Sequence, residues 1–287
     1  MNNNLTVYKA NKIIEAGFKL SLNEQRVILA CIAQVHSGDS LLTTDEFELK
    51  ASHFSQMFSV TESRAYHALI EVSETLFNRY VIVDNPYPEK PRIKSLKMRW
   101  ISSIKHMPDE GKIILNFSQD MLPYLSELKG RFTRYELKHI GKMNCIYAIR
   151  LYELLIQWQN RGSRTVDIEW LKKQFEIESL YQDVCDLKKR VLVPAVQDIN
   201  ENSNLHVSWE QIKTGRKITH FTFKFREKSS ITSKKTNIQK NKIPDNVNVK
   251  VNNIDYFYDM RQKFGDLLPT DAIPQEVIDE LKNSGRW

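Results

Sequence analysis

The sequence is poor in glycine and cysteine, and it has no long apolar run. Its 287 residues include nine glycines, which argues against a glycine-rich barrel or a phosphate-loop architecture. The three cysteines lie far apart in apolar helical patterns, which predicts buried free thiols and no disulfide or zinc framework. The longest apolar run, residues 27–33, is too short to cross a bilayer, and the start MNNNLTVYK lacks the apolar core of a secretion signal. We expect a cytoplasmic protein without a membrane partner.

Motifs that carry common chemistries are also missing. No two of the seven histidines are separated by a single residue, so the metal-binding His-hydrophobe-His pair of a rolling-circle nicking initiator is absent. The Gly-Lys-Ser/Thr ending of an ATPase phosphate loop is absent too. Carboxylates are plentiful, but no cluster stands out from ordinary helix-surface charge. The sequence therefore predicts no enzyme activity, catalytic residue, cofactor or metal, and a nicking initiator is the disfavoured alternative.

The apolar pattern repeats one order of elements in both halves of the chain. The first half reads as a core helix capped by Ser21, a strand, two short helices and strands at residues 80–84, 93–104 and 112–117. The second half reads as a helix at 143–158, a strand and short helix within 166–177, a long helix at about 182–200 and two strands. A helix-turn-helix followed by a strand pair is typical of a winged helix. The sequence predicts an α+β fold of two tandem winged-helix domains, with Phe175-Glu176-Ile177 equivalent to Phe58-Ser59-Val60.

The stretch FSQMFSVTESRAYHAL, residues 54–69, breaks a good helix at Ser59. Its apolar positions resume in a new phase after Val60, and Thr61 and Ser63 are well placed to cap a second helix. This helix would run to about Tyr80 and would bury that residue. Such a break lets the second helix project its polar N-terminal face into a DNA major groove, which is wide enough to admit an α-helix. The residues on this face are Ser63, Arg64, Tyr66 and His67.

Positive charge is concentrated where such domains carry their wings. Lys and Arg exceed Asp and Glu by 42 to 35, giving a net charge of +7, which favours a polyanionic partner. Residues 90–107 contain six cations and no acid, and Lys97 and Arg99 alternate with apolar residues, so one strand face can lie along a phosphate backbone. The predicted contacts of this first wing are Lys94, Lys97 and Arg99. A solvated edge strand protected by its cations is the alternative interpretation.

The second half carries its charge on the long helix and on the following hairpin. Lys188, Lys189 and Arg190 lie near the front of the helix, where they could reach phosphates or base edges, and arginine suits guanine best. Lys213, Arg216 and Lys217 surround the hairpin turn. An ordinary amphipathic helix with charged flanks is the alternative. Pro194 should kink the helix, since an interior proline costs about 3 kcal/mol.

These segments resemble a known family. The run VCDLKKRVLVPAVQDINENSNLHVSWEQIKTGRKITHFTFKF, together with SLNEQRVILACIAQ and RLYELLIQW, is similar to the replication initiators of iteron-containing plasmids, the Rep family of theta-replicating plasmids, over residues 5–226. The resemblance implies a protein that binds repeated double-stranded origin sites (iterons) as a monomer and helps to open the adjacent duplex. It also implies recruitment of the host initiator and replicative helicase, and a homodimer, in equilibrium with the monomer, that represses its own promoter at an inverted repeat.

The resemblance also implies a division of labour along the chain. Residues 1–128 would form an N-terminal winged helix for dimerisation and DNA contact, and residues 129–228 a C-terminal winged helix for the main iteron recognition. In the latter, Lys188, Lys189 and Arg190 would read the sequence while the hairpin cations hold the backbone. Residues 229–253 read as a basic flexible linker and residues 254–287 as a short helical tail. A transcriptional repressor built from the same DNA-binding parts is the alternative function.

Overall fold

A computed structural model of the chain describes residues 5–36, 38–126, 128 and 131–228, so the predicted linker and tail lie outside it. The helices are α1 Asn11–Ile14, α2 Leu22–Ile32, α3 Ala51–Phe58, α4 Glu62–Thr75, α5 Ile146–Ile156, α6 Ile168–Gln174, α7 Val184–Leu187 and α8 Val193–Asn202, and a π-helical turn, Lys188–Leu192, joins the last two. The strands are β1 Thr6–Ala10, β2 Phe47–Lys50, β3 Tyr80–Asp84, β4 Ser95–Arg99, β5 Ile101–Met107, β6 Lys112–Phe117, β7 Phe132–Glu136, β8 Ser163–Asp167, β9 Leu205–Thr214 and β10 Lys217–Glu227. Short 3-10 turns lie at Leu76–Asn78, Pro108–Glu110, Leu122–Tyr124, Leu137–His139 and Gln159–Arg161. Among the helices in the described ranges, none combines the length and the apolar character needed to span a bilayer.

The first half is a winged helix built on α2. Ser21 and Glu24 form the predicted capping box at the start of this helix, which is buried along most of its length. The helix-turn-helix is α3–α4, and its sheet has the antiparallel order β2-β6-β5. Thr61 caps α4 by accepting a hydrogen bond from the Arg64 amide. The hairpin β5–β6 is therefore the wing, because it pairs with the strand that leads into the helix-turn-helix.

The second half repeats this arrangement. Its sheet has the order β8-β10-β9, so the hairpin β9–β10 pairs with the strand that leads into α6. The turn after α3 contains Ser59 with a φ of 52°, and the turn after α6 contains Glu176 with a φ of 52°. These two residues occupy the positions that the sequence alignment of the halves makes equivalent. The predicted fold of two tandem winged helices is confirmed.

Two boundaries in the first half differ from the prediction. Helix α4 ends at Thr75, and Tyr80 is the first residue of β3, where it is 37% exposed instead of buried. The apolar spacing of three and four residues continues from Leu76 to Tyr80, although the helix itself ends at Thr75. The predicted strand at 93–104 is two strands, because the chain changes partner at Trp100: β4 pairs with β3, whereas β5 pairs with β6. Trp100 itself turns into the core, where it is fully buried.

The prediction of three buried thiols is confirmed for Cys31, holds in part for Cys145 and is wrong for Cys185. Cys31 is buried, Cys145 is half-buried, and Cys185 is exposed near the start of α7, each as a free thiol. Burial raises the pKa of the Cys31 thiol far above its ordinary value. Cys185 is exposed because it lies two positions before the buried Leu187, on the other side of the helix.

The proline in the long helix follows the π-helical turn. The amide of Val193 donates to the carbonyl of Lys188, five residues back, immediately before Pro194. A proline needs room for its ring against the preceding turn and has no amide hydrogen to donate. The wider turn supplies this room, so the irregularity expected at Pro194 appears one turn earlier as a π-helical turn.

The segment between α1 and α2 joins the two halves. Gly17 exchanges backbone hydrogen bonds with Ile82 of β3 at 2.9 and 2.8 Å. Arg150 of α5 is buried beneath the segment and donates to the carbonyls of Ile14, Ala16 and Gln174 at 3.2, 2.7 and 3.1 Å. Burial lowers the pKa of Arg150 to about 10. Its two terminal nitrogens donate to the three carbonyls, whereas its buried Nε has no hydrogen-bond partner in the described part of the chain. The guanidinium therefore fastens the second half to the N-terminal segment.

A second buried polar contact lies beside it. Lys9 of β1 pairs with Glu153 of α5 at 2.7 Å, and the two side chains are 2% and 1% exposed. The hydroxyl of Tyr135 donates to the same carboxylate oxygen at 2.6 Å. Burial lowers the pKa of Lys9 and outweighs the opposing effect of Glu153. Removing either charge would leave the other buried without a partner, which is costly.

Candidate nucleic-acid interface

The long helix of the second half presents one polar side to solvent. Asp183 caps its start by accepting a hydrogen bond from the Cys185 amide at 2.8 Å. The inward side is packed by Leu187, Val191, Leu192, Ala195, Val196 and Ile199. The outward residues, which we call the exposed stripe, are Asp186, Lys189, Arg190, Val193, Gln197 and Glu201. The stripe follows helical spacing through the π-helical turn, so a single groove could meet all of it.

The predicted basic triplet is divided by this geometry. Lys189 and Arg190 are exposed, whereas Lys188 is half-buried and its Nζ donates to Gln211 Oε1 of β9 at 3.1 Å. The Nε of Arg190 lies 3.9 Å from Asp186 Oδ1, which is beyond hydrogen-bonding distance. Arg190 therefore keeps its fork of donors for an external acceptor, while Lys188 is directed towards the hairpin.

Sequence reasoning missed the later residues of the stripe. Val193 and Gln197 follow Arg190 at steps of three and four, and both are exposed. The spacing itself was the signal that could have found them. A pattern of cations does not include them, because one is apolar and the other is neutral.

The hairpin β9–β10 extends beyond the body of the domain. Its turn contains Gly215 with a φ of 62°, a conformation that glycine adopts without strain. Lys213, Arg216 and Lys217 are exposed around this turn. Within this hairpin, Lys224 pairs with Glu210 at 3.1 Å, and this ion pair lies further from the tip. The tip thus offers three cations to a polyanion.

The recognition face of α4 is partly as predicted. Ser63, Arg64 and His67 are exposed, and Tyr66 is half-buried. The ring of Tyr66 lies edge-on to the ring of His67, with centroids 5.9 Å apart. A Cβ atom placed on Gly111 of the wing turn would lie 4.0 Å from Tyr66 Cδ2. Tyr66 therefore packs between α4 and the wing turn, and the other three residues are available for contact.

The predicted cations of the first wing lie in a different element. Lys94 directly precedes β4, and Lys97 and Arg99 belong to it. This strand pairs with β3 to form a separate two-stranded ribbon, so the assignment of these residues to the wing is wrong. The error arose because the acid-free run from 90 to 107 covers both a ribbon strand and the first wing strand. The predicted alternation within β4 is confirmed, since Met98 is buried and Lys97 and Arg99 are exposed.

Aromatic rings hold the ribbon cations outward. The Nζ of Lys97 lies 3.6 Å from the centre of the Tyr80 ring. The guanidinium of Arg99 lies 4.5 Å from the centre of the Phe77 ring, and its Nη1 donates to the Phe77 carbonyl at 2.6 Å. Contact with a ring face restrains a cation without neutralising its charge. The ribbon cations therefore stay available to an anion.

The lysines of the first wing, unlike the cations at the tip of the hairpin β9–β10, are paired with carboxylates. Lys112 pairs with Glu48 at 2.9 Å and with Glu110 at 2.6 Å, and Lys105 pairs with Glu46. The turn itself carries Asp109 and Glu110. Carboxylates thus neutralise the lysines of this wing, whereas Lys97 and Arg99 of the ribbon have no carboxylate partner among the described residues.

Comparison with known proteins places the chain in a family. The family model described as "Initiator Replication protein, WH1" matches residues 6–156, and the model described as "Initiator Rep protein, WH2" matches residues 167–225. The chain belongs to the initiator replication protein family. The WH1 model includes α5, and the WH2 model begins just before α6, so the first helix-turn-helix and hairpin lie in the WH1 domain and the second ones lie in the WH2 domain. The predicted boundary between residues 128 and 129 stays a prediction, and it falls just before β7, which pairs with β1.

Individual relatives agree with this assignment. An Escherichia coli "Replication initiation protein" is 27% identical over 209 residues, which cover 70% of this chain and 64% of the relative. An Escherichia coli "Uncharacterized 27.6 kDa protein" is 26% identical over 228 residues, or 75% of this chain and 93% of the relative. The crystal structure of the Pi initiator protein in complex with iteron DNA covers 80% of this chain and 100% of its own, with a TM-score of 0.69 and 21% identity. At that identity the match shows a shared fold.

The described ranges offer no metal centre. Within them, no group of three or more histidine, cysteine, aspartate or glutamate side chains is arranged to hold a metal ion. The exposed chemistry of the two domains consists instead of cations and hydrogen-bonding side chains on helices and hairpins.

Proposed function

We propose that this protein is a plasmid replication initiator that binds repeated origin sites, the iterons, in a sequence-specific manner. The observation that carries the proposal is the WH2 surface, where Lys189 and Arg190 on the exposed stripe stand beside the hairpin that carries three exposed cations. A helix with free donors can read base edges in the major groove, and a cationic hairpin can hold the adjacent phosphates. Membership of the initiator family and the fold shared with an iteron-bound initiator support the same conclusion.

The surfaces suggest separate roles in this complex. Arg190 reads a base, preferably guanine, because its donors are exposed and have no hydrogen-bonded partner within the described chain. Lys213, Arg216 and Lys217 contact phosphates. On the WH1 domain, the face of α4 and the ribbon contact the other end of the site. The cations and polar groups involved there are Ser63, Arg64, His67, Lys94, Lys97 and Arg99, and Tyr66 supports the α4 face by packing against the wing turn.

The proposal extends to a wider activity, which the resemblance to this family supports. The bound protein opens the adjacent AT-rich duplex without being an enzyme, and it recruits the host initiator and replicative helicase in the cytoplasm. A homodimer, in equilibrium with the monomer and held largely through the WH1 domain, represses its own promoter at an inverted repeat. The competing function is that of a repressor with no role in replication. A replicon that carries only its origin distinguishes them, since it is maintained with the protein supplied in trans only if the protein is an initiator.

Binding measurements test the proposed roles of individual residues. Footprinting of the purified protein on the DNA upstream of its own gene identifies the site, and fluorescence anisotropy then compares that duplex with a scrambled one. We expect Arg190→Ala to reduce the preference for the site by about 5- to 150-fold, corresponding to about 1–3 kcal/mol for one base contact. Lys97→Ala should weaken binding to both duplexes equally. Equal losses on both duplexes from the Arg190 change would contradict its base-reading role.

A further inference from the structure

The exposed stripe of the WH2 helix contains one aliphatic residue among polar ones. Val193 is 48% exposed, although valine is usually buried. Arg190 lies one turn before it and Gln197 one turn after it, and both are exposed on the same side. Val193 also forms the edge of a shallow, open recess that it shares with Val196 and Trp209. About half of Val193 is therefore open to solvent in the described chain.

The position of Val193 limits what it can contact in the proposed complex. If Arg190 reads a base edge, the residue three positions later on the same side faces the same groove, one helical turn further along. A valine has no donor or acceptor, so it cannot contribute through hydrogen bonds. The apolar group that the major groove presents is the C5 methyl of thymine.

We propose that Val193 is a specificity-determining residue that recognises the methyl group of a thymine in the iteron. The thymine lies within one or two base pairs of the base that Arg190 reads. This inference rests on the proposed function, since it requires the WH2 helix to enter the major groove. It adds an apolar contact to a surface otherwise interpreted through its cations.

The test uses duplexes that differ by single methyl groups. In each duplex, one thymine of the iteron is replaced by deoxyuridine, which removes the C5 methyl and keeps every hydrogen-bonding group. The affinities of the full-length protein and of Val193→Ala are measured on the whole set by fluorescence anisotropy. Val193→Thr is a second variant of similar shape. Leu42→Ala is the matched control, because Leu42 is 61% exposed but lies in a WH1 loop outside the proposed surfaces.

One pattern of results is expected. At one or two neighbouring positions, deoxyuridine should weaken the unchanged protein about fourfold, which is about 0.8 kcal/mol at 1.4 kcal/mol per tenfold. Val193→Ala should bind the normal iteron about fourfold more weakly and should be insensitive to deoxyuridine at those positions. Val193→Thr, which keeps one methyl group, should fall between them. Leu42→Ala should reproduce the profile of the unchanged protein.

Two failures would have different meanings. If Val193→Ala keeps every deoxyuridine penalty of the unchanged protein, or if no position shows a penalty, the role of Val193 is refuted while the proposed function stands. If the unchanged protein does not prefer the iteron over a scrambled duplex, the proposed function is refuted, and the inference about Val193 is refuted with it. Circular dichroism of each variant establishes that the helix is still folded.

Discussion

Removing the cations at the tip of the WH2 hairpin should reduce the salt dependence of DNA binding by a defined amount. Lys213, Arg216 and Lys217 are exposed, and the ion pair of this hairpin involves other residues. Each phosphate contact contributes about −0.9 to the slope of log affinity against log salt, so the triple alanine variant should make the slope shallower by about 2.7. Between about 50 and 200 mM salt, this difference corresponds to about 40-fold in affinity.

The assay is a salt titration of affinity on the iteron and on a scrambled duplex. Because the tip is proposed to touch phosphates only, the slope should change equally on both duplexes. Lys112→Ala is the control, since Lys112 is already neutralised by Glu48 and Glu110 on the WH1 wing and should leave the slope unchanged. An unchanged slope in the triple variant, or a loss confined to the iteron, would refute the assignment of the tip to the DNA backbone.

Three further predictions concern the fold. Glu153→Leu leaves Lys9 buried without its counter-charge, so the free energy of unfolding measured in urea should fall by about 3–5 kcal/mol. Adding Lys9→Met should restore most of this stability, and an equal loss in the double variant would contradict the reasoning. In the native protein a thiol reagent should modify the exposed Cys185 readily but should reach the buried Cys31 only after unfolding. Rapid modification of Cys31 itself, located by peptide mapping, would argue otherwise. Glu176→Gly should stabilise the protein by up to about 1 kcal/mol, because glycine adopts the φ of 52° at this position without strain. An unchanged or lower urea midpoint would show that no strain is stored there.

Periodicity predicted the helices and their caps well, because local spacing determines them. The capping box of Ser21 and Glu24, the break at Ser59 and the equivalent break at Glu176 could all be located from the sequence. The left-handed turn at each break has a local cause, since the apolar phase must shift between two helices that pack on one core. Such features depend on neighbouring residues, so a single sequence contains them.

Elements defined by distant partners could not be predicted in the same way. Strands β1 and β7 pair across more than a hundred residues, and neither has a pattern that identifies the other. The sequence shows the cations of the ribbon but not the pairing of β6 with β2, so it does not distinguish the ribbon from the wing. The Lys9–Glu153 contact was missed for the same reason, since each residue alone resembles ordinary surface charge.

The two domains therefore share a fold but distribute their charge differently. In the WH2 domain the hairpin itself presents the cations, whereas in the WH1 domain carboxylates neutralise the hairpin and the ribbon presents them. The ribbon is also held beside α6 of the WH2 domain, because Asp84 pairs with Lys173 at 2.5 Å. In addition, Ile82 exchanges backbone bonds with Gly17, and the neighbouring Phe18 amide donates to the Gln174 carbonyl of α6 at 3.3 Å. An exposed ion pair contributes at most about 1 kcal/mol, so the backbone bonds are the firmer attachment. The cations of the WH1 domain are thus anchored beside the WH2 domain, and a change in the Gly17 segment would alter DNA binding without removing any DNA contact.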